Sequence, residues 1–213
     1  MHGLEARASA LQKALPELSA GECLRLAQEL QASTMAALRK GVQHSDEMIA
    51  DVVRGVARAR EVKASVVRGA MVESMLGATQ AFEGAAELLR HAKSLGLATV
   101  LVTDTSWHSE ADTWARVAEM GITADLDHLV SSFELGARKP DPLVFRTALR
   151  KAGAAASEAV MVGDNEAADI APAAALGMAT IRVTVQFPIQ GETAADATAG
   201  TLSEVGEILS RWC

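Results

Sequence analysis

Met161-Val162-Gly163-Asp164-Asn165-Glu166-Ala167-Ala168-Asp169 is the stretch that decides the fold. The apolar run from Ala159 to Val162 reads as a short buried strand, Gly163-Asp164 ends it, and a helix is expected from residue 166. Asp164 and Asp169 then stand at the carboxyl end of a strand and in the first turn of the helix that follows. In an open α/β sheet that edge is where ligands bind. Carboxylates placed there suit a hard divalent cation such as Mg²⁺, which is held by one or two carboxylates together with phosphate oxygens and water.

The same grammar runs outward from this stretch in both directions. Residues 79–94 read as a helix closed by Gly96, and Leu97 to Val102 as a buried strand. A helix over 109–120, a short strand at Leu129-Val130 and a helix after Pro142 lead to the strand at 159–162. A strand at Ala179 to Val183 and a closing helix over 201–211 complete the series, with residues 186–199, rich in Gly, Thr and Ala, expected as a loop. Strands separated by helices argue for a Rossmann-like, three-layer α/β core with a parallel sheet covered on both faces.

Residues 1–78 carry a different pattern and read as helix throughout. Ser19-Ala20-Gly21-Glu22 is a capping-box sequence. Leu24, Leu26, Ala27, Leu30, Met35 and Leu38 follow at helical spacing, and Gly41 ends the run. Ser45 is expected to cap a further long helix whose apolar face is Met48, Ile49, Val52, Val53, Val56 and Ala57. Arg54, Arg58, Arg60, Lys63 and Arg68 make that helix basic, a solvated face in this reading. The division expected is therefore a helical module over 1–78 and an α/β domain over 79–213.

Composition narrows the class. The 213 residues carry a net charge of -7, which argues against a general nucleic-acid binder. Cys23 and Cys213 show no metal-ligand spacing and read as reduced thiols of a cytoplasmic protein. No apolar run approaches the ~20 residues of a membrane span, and the first residues lack the layout of a signal peptide.

Three polar clusters fall at strand ends. The first is Val102-Thr103-Asp104-Thr105-Ser106, the second Arg138-Lys139-Pro140-Asp141-Pro142, and the third the Gly163-Asp164 stretch. Parallel strands bring their carboxyl ends to one edge, so the clusters converge. Together they offer a hydroxyl with backbone amides, a lysine and carboxylates, a set suited to phosphoryl transfer.

On these residues the sequence resembles the haloacid dehalogenase superfamily over residues 79–211, and most closely its phosphatases. Phe82-Glu83-Gly84 is similar to the family's lead-in to its second motif. Thr103 matches that motif, the hydroxyl residue that binds the transferring phosphoryl group, with Asp104 beside it where the family often has Asn. Ser131-Ser132-Phe133-Glu134-Leu135-Gly136-Ala137-Arg138-Lys139-Pro140-Asp141-Pro142 matches the stretch of the third motif, whose lysine is Lys139. Gly163-Asp164 through Asp169 matches the acidic fourth motif, with Asp164 the first metal ligand and Asp169 supporting it. By position and helicity, residues 1–78 resemble the helical cap of one subfamily. The resemblance implies a Mg²⁺-dependent phosphohydrolase of a small phosphorylated metabolite. A dehalogenase ranks behind it, because dehalogenases do not need the metal that the acidic motif suits.

The family's first motif, an apolar strand ending in Asp-x-Asp-x-Thr, is not found within residues 1–213. Its first Asp attacks phosphorus and its second is the general acid and base. The sequence therefore leaves three readings. The motif belongs immediately upstream of residue 1; or the protein binds a ligand or partner without catalysis; or another residue attacks, Asp104 and His108 being the nearest candidates. The first core strand is accordingly expected to be missing from residues 1–213.

Overall fold

Ser19 starts the longest helix by the device its sequence announces. Its hydroxyl accepts from the Glu22 amide at 3.3 Å while the Glu22 carboxylate accepts from the Ser19 amide at 2.8 Å. The computed structural model describes residues 2–40, 45–57, 61–76, 80–185 and 192–213. They form two compact units, Met1–Gln80 with Thr105–Asp112, and Ala81–Asp104 with Thr113–Cys213.

Among the described residues the first unit holds four helices: α1 (His2–Ala14), α2 (Ala20–Arg39), α3 (Asp46–Ala57) and α4 (Ala64–Leu76). Their apolar stripes meet in a core of Leu11, Leu15, Leu18, Leu26, Leu30, Ile49, Val53, Val67 and Met71, with Trp107 buried among them. Each fully buried Leu or Ile contributes about 1.5–3 kcal/mol, so packing rather than propensity holds these helices. Ser45 caps α3 as expected, accepting from the Met48 amide at 3.3 Å. The single long basic helix is corrected: α3 ends at Ala57, and Arg68 belongs to α4. Nor is Arg68 a solvated charge. Its side chain is only 16% exposed, and its guanidinium binds Asp46 and the Trp107 carbonyl. Gly41, His44, Arg58, Arg60 and Gly77 lie outside the described residues.

The second unit alternates helix and parallel strand, as the pattern demanded. Its elements are α5 (Ala85–Ser94), β1 (Val100–Thr103), α6 (Glu110–Glu119, which begins in the first unit), β2 (His128–Ser131), α7 (Ser132–Leu135), α8 (Pro142–Ala152), β3 (Val160–Gly163), a π-helical turn over Glu166–Ile170, α9 (Ala171–Ala175), β4 (Ala179–Val183), β5 (Ala197–Ala199) and α10 (Leu202–Trp212). Among the described residues β1 pairs with β2, and β3, β4 and β5 pair in that order. Every pairing is parallel, with Val102 opposite Val130 and Val162 opposite Ile181.

Three local expectations change. The helix expected over 79–94 starts at Ala85, because Gly84 before it adopts a left-handed φ of 82°. The strand expected over 97–102 occupies Val100–Thr103, and β1 and β3 are half-buried along their length rather than buried. The loop expected over 186–199 contains β5, and residues 186–191 of it lie outside the described residues. Ala197-Thr198-Ala199 has little strand propensity. It is held by pairing with β4 and by Asp196, whose carboxylate accepts from both the amide and the hydroxyl of Thr180 at 2.8 Å.

Two apolar layers pack on the strands. Val144, Phe145, Ala148 and Ala173 form one with Val130, and Val100, Val102 and Met161 pack against it. Val205, Ile208 and Leu209 form the other with Ile181, against which Val160, Val162 and Leu88 pack. The alternation of Met161 with Val160 and Val162 between the layers is the two-residue period of a strand.

Candidate active site

Lys139 is the centre of the carboxyl edge. Asp141 caps α8, accepting from the Leu143 amide at 2.8 Å, with Pro142 preorganising the first helical position. That start fixes the segment leading into the helix. There the Lys139 amide donates to Asp104 at 3.2 Å, directly after the end of β1. The Lys139 ammonium donates to Asp169 at 2.7 Å. These side chains are 14% and 5% exposed, so the ion pair is largely withdrawn from water.

Asp169 reaches this position through the π-helical turn. Asn165 accepts from the Ala168 amide at 3.0 Å and opens the turn, and its own amide donates to the second oxygen of Asp169 at 3.1 Å. Gly163 is required by space. A Cβ on it would stand 2.5 Å from Asp169 Cβ and 2.7 Å from the carboxylate carbon. The last residue of β3 and the buried carboxylate therefore share a volume that no side chain can enter.

The structure thus joins Asp104, Lys139 and Asp169 by direct contacts and sets the other two predicted residues at the strand ends beside them. Thr103 is the last residue of β1 and is half-buried. Asp164 follows the last residue of β3 and is exposed. His108, a candidate substitute nucleophile, is buried in the first unit. Asp104 already accepts from the Lys139 amide and lies 4.0 Å from the Arg138 guanidinium.

Three features escaped sequence reasoning. Arg138 has a buried Nη1 without a hydrogen-bond partner among the described residues. Glu166 accepts from the Thr193 hydroxyl at 2.6 Å, the Ala194 amide at 2.8 Å and the Arg182 guanidinium at 3.0 Å. The Thr193 hydroxyl first, then the Ala194 amide and Arg182, hold its carboxyl below the usual range. Asp125-Leu126-Asp127, the one Asp-x-Asp in the sequence, precedes a strand instead of ending one. Asp127 is bound by Lys93 at 2.7 Å and by the Thr99 amide at 2.8 Å. Lys93 first, with Thr99, lowers its carboxyl to about 2. That aspartate ties α5 to the start of β1 and is structural. The signal for Glu166 and Asp127 lay in long-range partners that no local spacing reveals.

A model of the haloacid dehalogenase-like hydrolase family matches residues 6–177. Glyceraldehyde 3-phosphate phosphatase of Methanocaldococcus jannaschii is 31% identical over 123 residues, 57% of this chain and 53% of that protein. Phosphoserine phosphatase of Thermus thermophilus is 33% identical over 118 residues, 55% of this chain and 46% of that protein. The chain spans about half the length of the curated relatives it matches. Among solved structures, a HAD phosphatase from Thermococcus onnurineus superposes with a TM-score of 0.64 at 20% identity, covering 97% of this chain and 87% of that one, a likeness of fold.

Proposed function

The chain belongs to the haloacid dehalogenase-like hydrolases, and from that premise we propose that its carboxyl-edge cluster binds the phosphoryl group of a small phosphorylated metabolite beside Mg²⁺, as the site of a phosphohydrolase. The observation that carries the reading is the Lys139–Asp169 pair, set with Asp104 at the ends of β1 and β3. An ammonium has three donors. Asp169 takes one, so Lys139 is held in place with donors left for phosphoryl oxygens. The Thr103 hydroxyl at the end of β1 supplies a further donor in this reading.

The donor set fits a cation that keeps most of its water. Asp164 is exposed beside the end of β3, Asp169 has lone pairs beyond its two hydrogen bonds, and among the described residues no group of three or more His, Cys, Asp or Glu gathers. One or two carboxylates completed by phosphate oxygens and water is how Mg²⁺ is commonly bound. When bound, the metal would neutralise charge on the phosphoryl oxygens. The four helices of the first unit serve as the substrate-selecting cap in this proposal. The free thiols Cys23 and Cys213 accord with a reducing, cytoplasmic setting.

Titration calorimetry with MgCl₂ and inorganic phosphate tests the site. Asp164→Asn is expected to weaken Mg²⁺, and Lys139→Met to weaken phosphate, each at least tenfold. Unchanged affinities in both variants overturn the site. A second reading is a binding protein on the same fold without turnover. Release of phosphate from p-nitrophenyl phosphate with Mg²⁺ would remove that reading.

A further inference from the structure

Asp104 carries more charge than its hydrogen bond requires. One of its oxygens accepts from the Lys139 amide at 3.2 Å. A neutral asparagine would do the same, because its side-chain oxygen is also an acceptor. The carboxylate adds a negative charge, and it does so one residue after Thr103, where the phosphoryl group is to be received. A fixed carboxylate repels an anion beside it, most strongly where water is scarce. The Asp104 side chain is only 20% exposed. Left alone, this residue works against the ligand.

Arg138 has the complementary problem. Its side chain is 13% exposed, and a guanidinium does not shed its proton. Its buried Nη1 has no hydrogen-bond partner among the described residues. The second oxygen of Asp104 lies 4.0 Å from its Nη2, beyond hydrogen-bond reach but near enough for the two charges to offset each other. The backbone fixes Arg138 in this place. Its carbonyl accepts from the Asp141 amide at 2.8 Å, and the Asp141 carboxylate caps α8. Lys139, the next residue, already has its own counter-charge in Asp169 at 2.7 Å. Two successive cations are thus each set against one carboxylate, Arg138 against Asp104 after β1 and Lys139 against Asp169 after β3.

We propose, resting on the phosphate reading above, that Arg138 is a positioning residue for the anion site. It offsets the charge of Asp104, so that this carboxylate holds the Lys139 amide without repelling a phosphoryl group at Thr103. Arg138 touches no ligand; it acts through Asp104. The two roles of Asp104 then come apart. As an acceptor it serves Lys139, and as a charge it serves only to match Arg138. Removing Arg138 alone is harmful to anion binding, whereas removing both charges and keeping the acceptor is not.

Titration calorimetry with inorganic phosphate, at constant MgCl₂ and low salt, tests the pair. Arg138→Met is expected to weaken phosphate about tenfold or more, because Asp104 is left unopposed. Adding Asp104→Asn, which keeps the acceptor and removes the charge, is expected to return the affinity to within about threefold of the parent. Asp104→Asn alone leaves Arg138 as an unopposed cation and is expected to tighten phosphate about threefold or more. That variant carries the test if Arg138→Met does not fold, which circular dichroism on the same samples reads. Three results overturn the proposal. One is Arg138→Met binding phosphate as the parent does. Another is a double variant no tighter than Arg138→Met, which makes Arg138 a packing residue only. The third is Asp104→Asn no tighter than the parent, which means the charge of Asp104 does not oppose the anion. A parent that binds no phosphate overturns the phosphate reading, and this one with it, before any variant is compared; a parent that binds while the variants depart from these outcomes overturns the role of Arg138 alone.

Discussion

Replacing Gly163 with alanine puts a methyl group where three atoms of Asp169 stand within 2.5–2.7 Å. A carboxylate at the surface would swing aside. Asp169 is 3% exposed, and both oxygens are held, one by the Lys139 ammonium and one by the Asn165 amide. Rotating it out separates a buried ion pair, which costs about 3–5 kcal/mol. Shifting β3 or the π-helical turn by about an ångström, enough to bring the 2.5 Å approach to ordinary contact at 3.4–4 Å, is overpacking, about 1–3 kcal/mol. The cheaper route wins, so Gly163→Ala is expected to destabilise by about 2 kcal/mol through backbone displacement with the pair retained. In urea unfolding followed by circular dichroism this lowers the midpoint by about 1 M. Gly69→Ala is the control. It lies within α4, with no atom inside 4 Å of the position its methyl would take, and is expected to stabilise by ~0.5–1 kcal/mol. A Gly163→Ala protein within about 0.5 kcal/mol of the parent, on the scale typical of surface substitutions, would refute the claim that Asp169 is locked.

Other outcomes follow from the same contacts. Asp169→Leu alone is expected to destabilise by about 3–5 kcal/mol, because it leaves the Lys139 charge buried and unpaired. Adding Lys139→Met should restore most of that loss, and urea midpoints of the single and double variants measure it. The two lowered carboxyls set the acid limb of stability. Asp127 falls from the usual 3.8 to about 2, and Glu166 is lowered as well. Their contribution is complete above the unfolded-state values and is lost as pH falls toward the folded ones. Stability is therefore expected to decline between about pH 5 and 2, with a shallower slope in Asp127→Asn, read from urea midpoints across that range. In the proposed site Asp164→Asn should weaken Mg²⁺ at least tenfold without lowering the urea midpoint, since that side chain is exposed.

What was legible in the sequence was what depends on near neighbours. Ser19 and Glu22 are three residues apart and make the capping box their spacing promises. Asp141-Pro142 announces the start of α8 in the same way. The alternation of helix and apolar run gave the parallel α/β architecture, and the strand-end clusters pointed to the edge where Asp104, Lys139 and Asp169 meet. What was hidden depends on partners far along the chain. Ala197-Thr198-Ala199 becomes a strand only because β4 and Asp196 hold it. Arg68 looks like one more surface cation until Asp46 and the Trp107 carbonyl surround it. Apolar runs showed that β1 and β3 are strands, but burial depends on what lies beside them. The sequence made Asp164 the first metal ligand and Asp169 its support, but carried no sign of which would be buried. The π-helical turn separates them, turning Asp169 inward to Lys139 and leaving Asp164 at the surface.

The bracing around Glu166 has a consequence for how variation in this protein will read. One carboxylate pins Thr193 and Ala194 to the turn that carries Asp169, and through Arg182 to β4. Thr193 lies 27 residues from Glu166 in sequence and outside the candidate site, yet it stiffens the loop on which that site depends. A mutational scan scored by ligand affinity should therefore show an outlying hotspot at Thr193, tracking Glu166 and Arg182. Homologues that change one of the three should change the others in step.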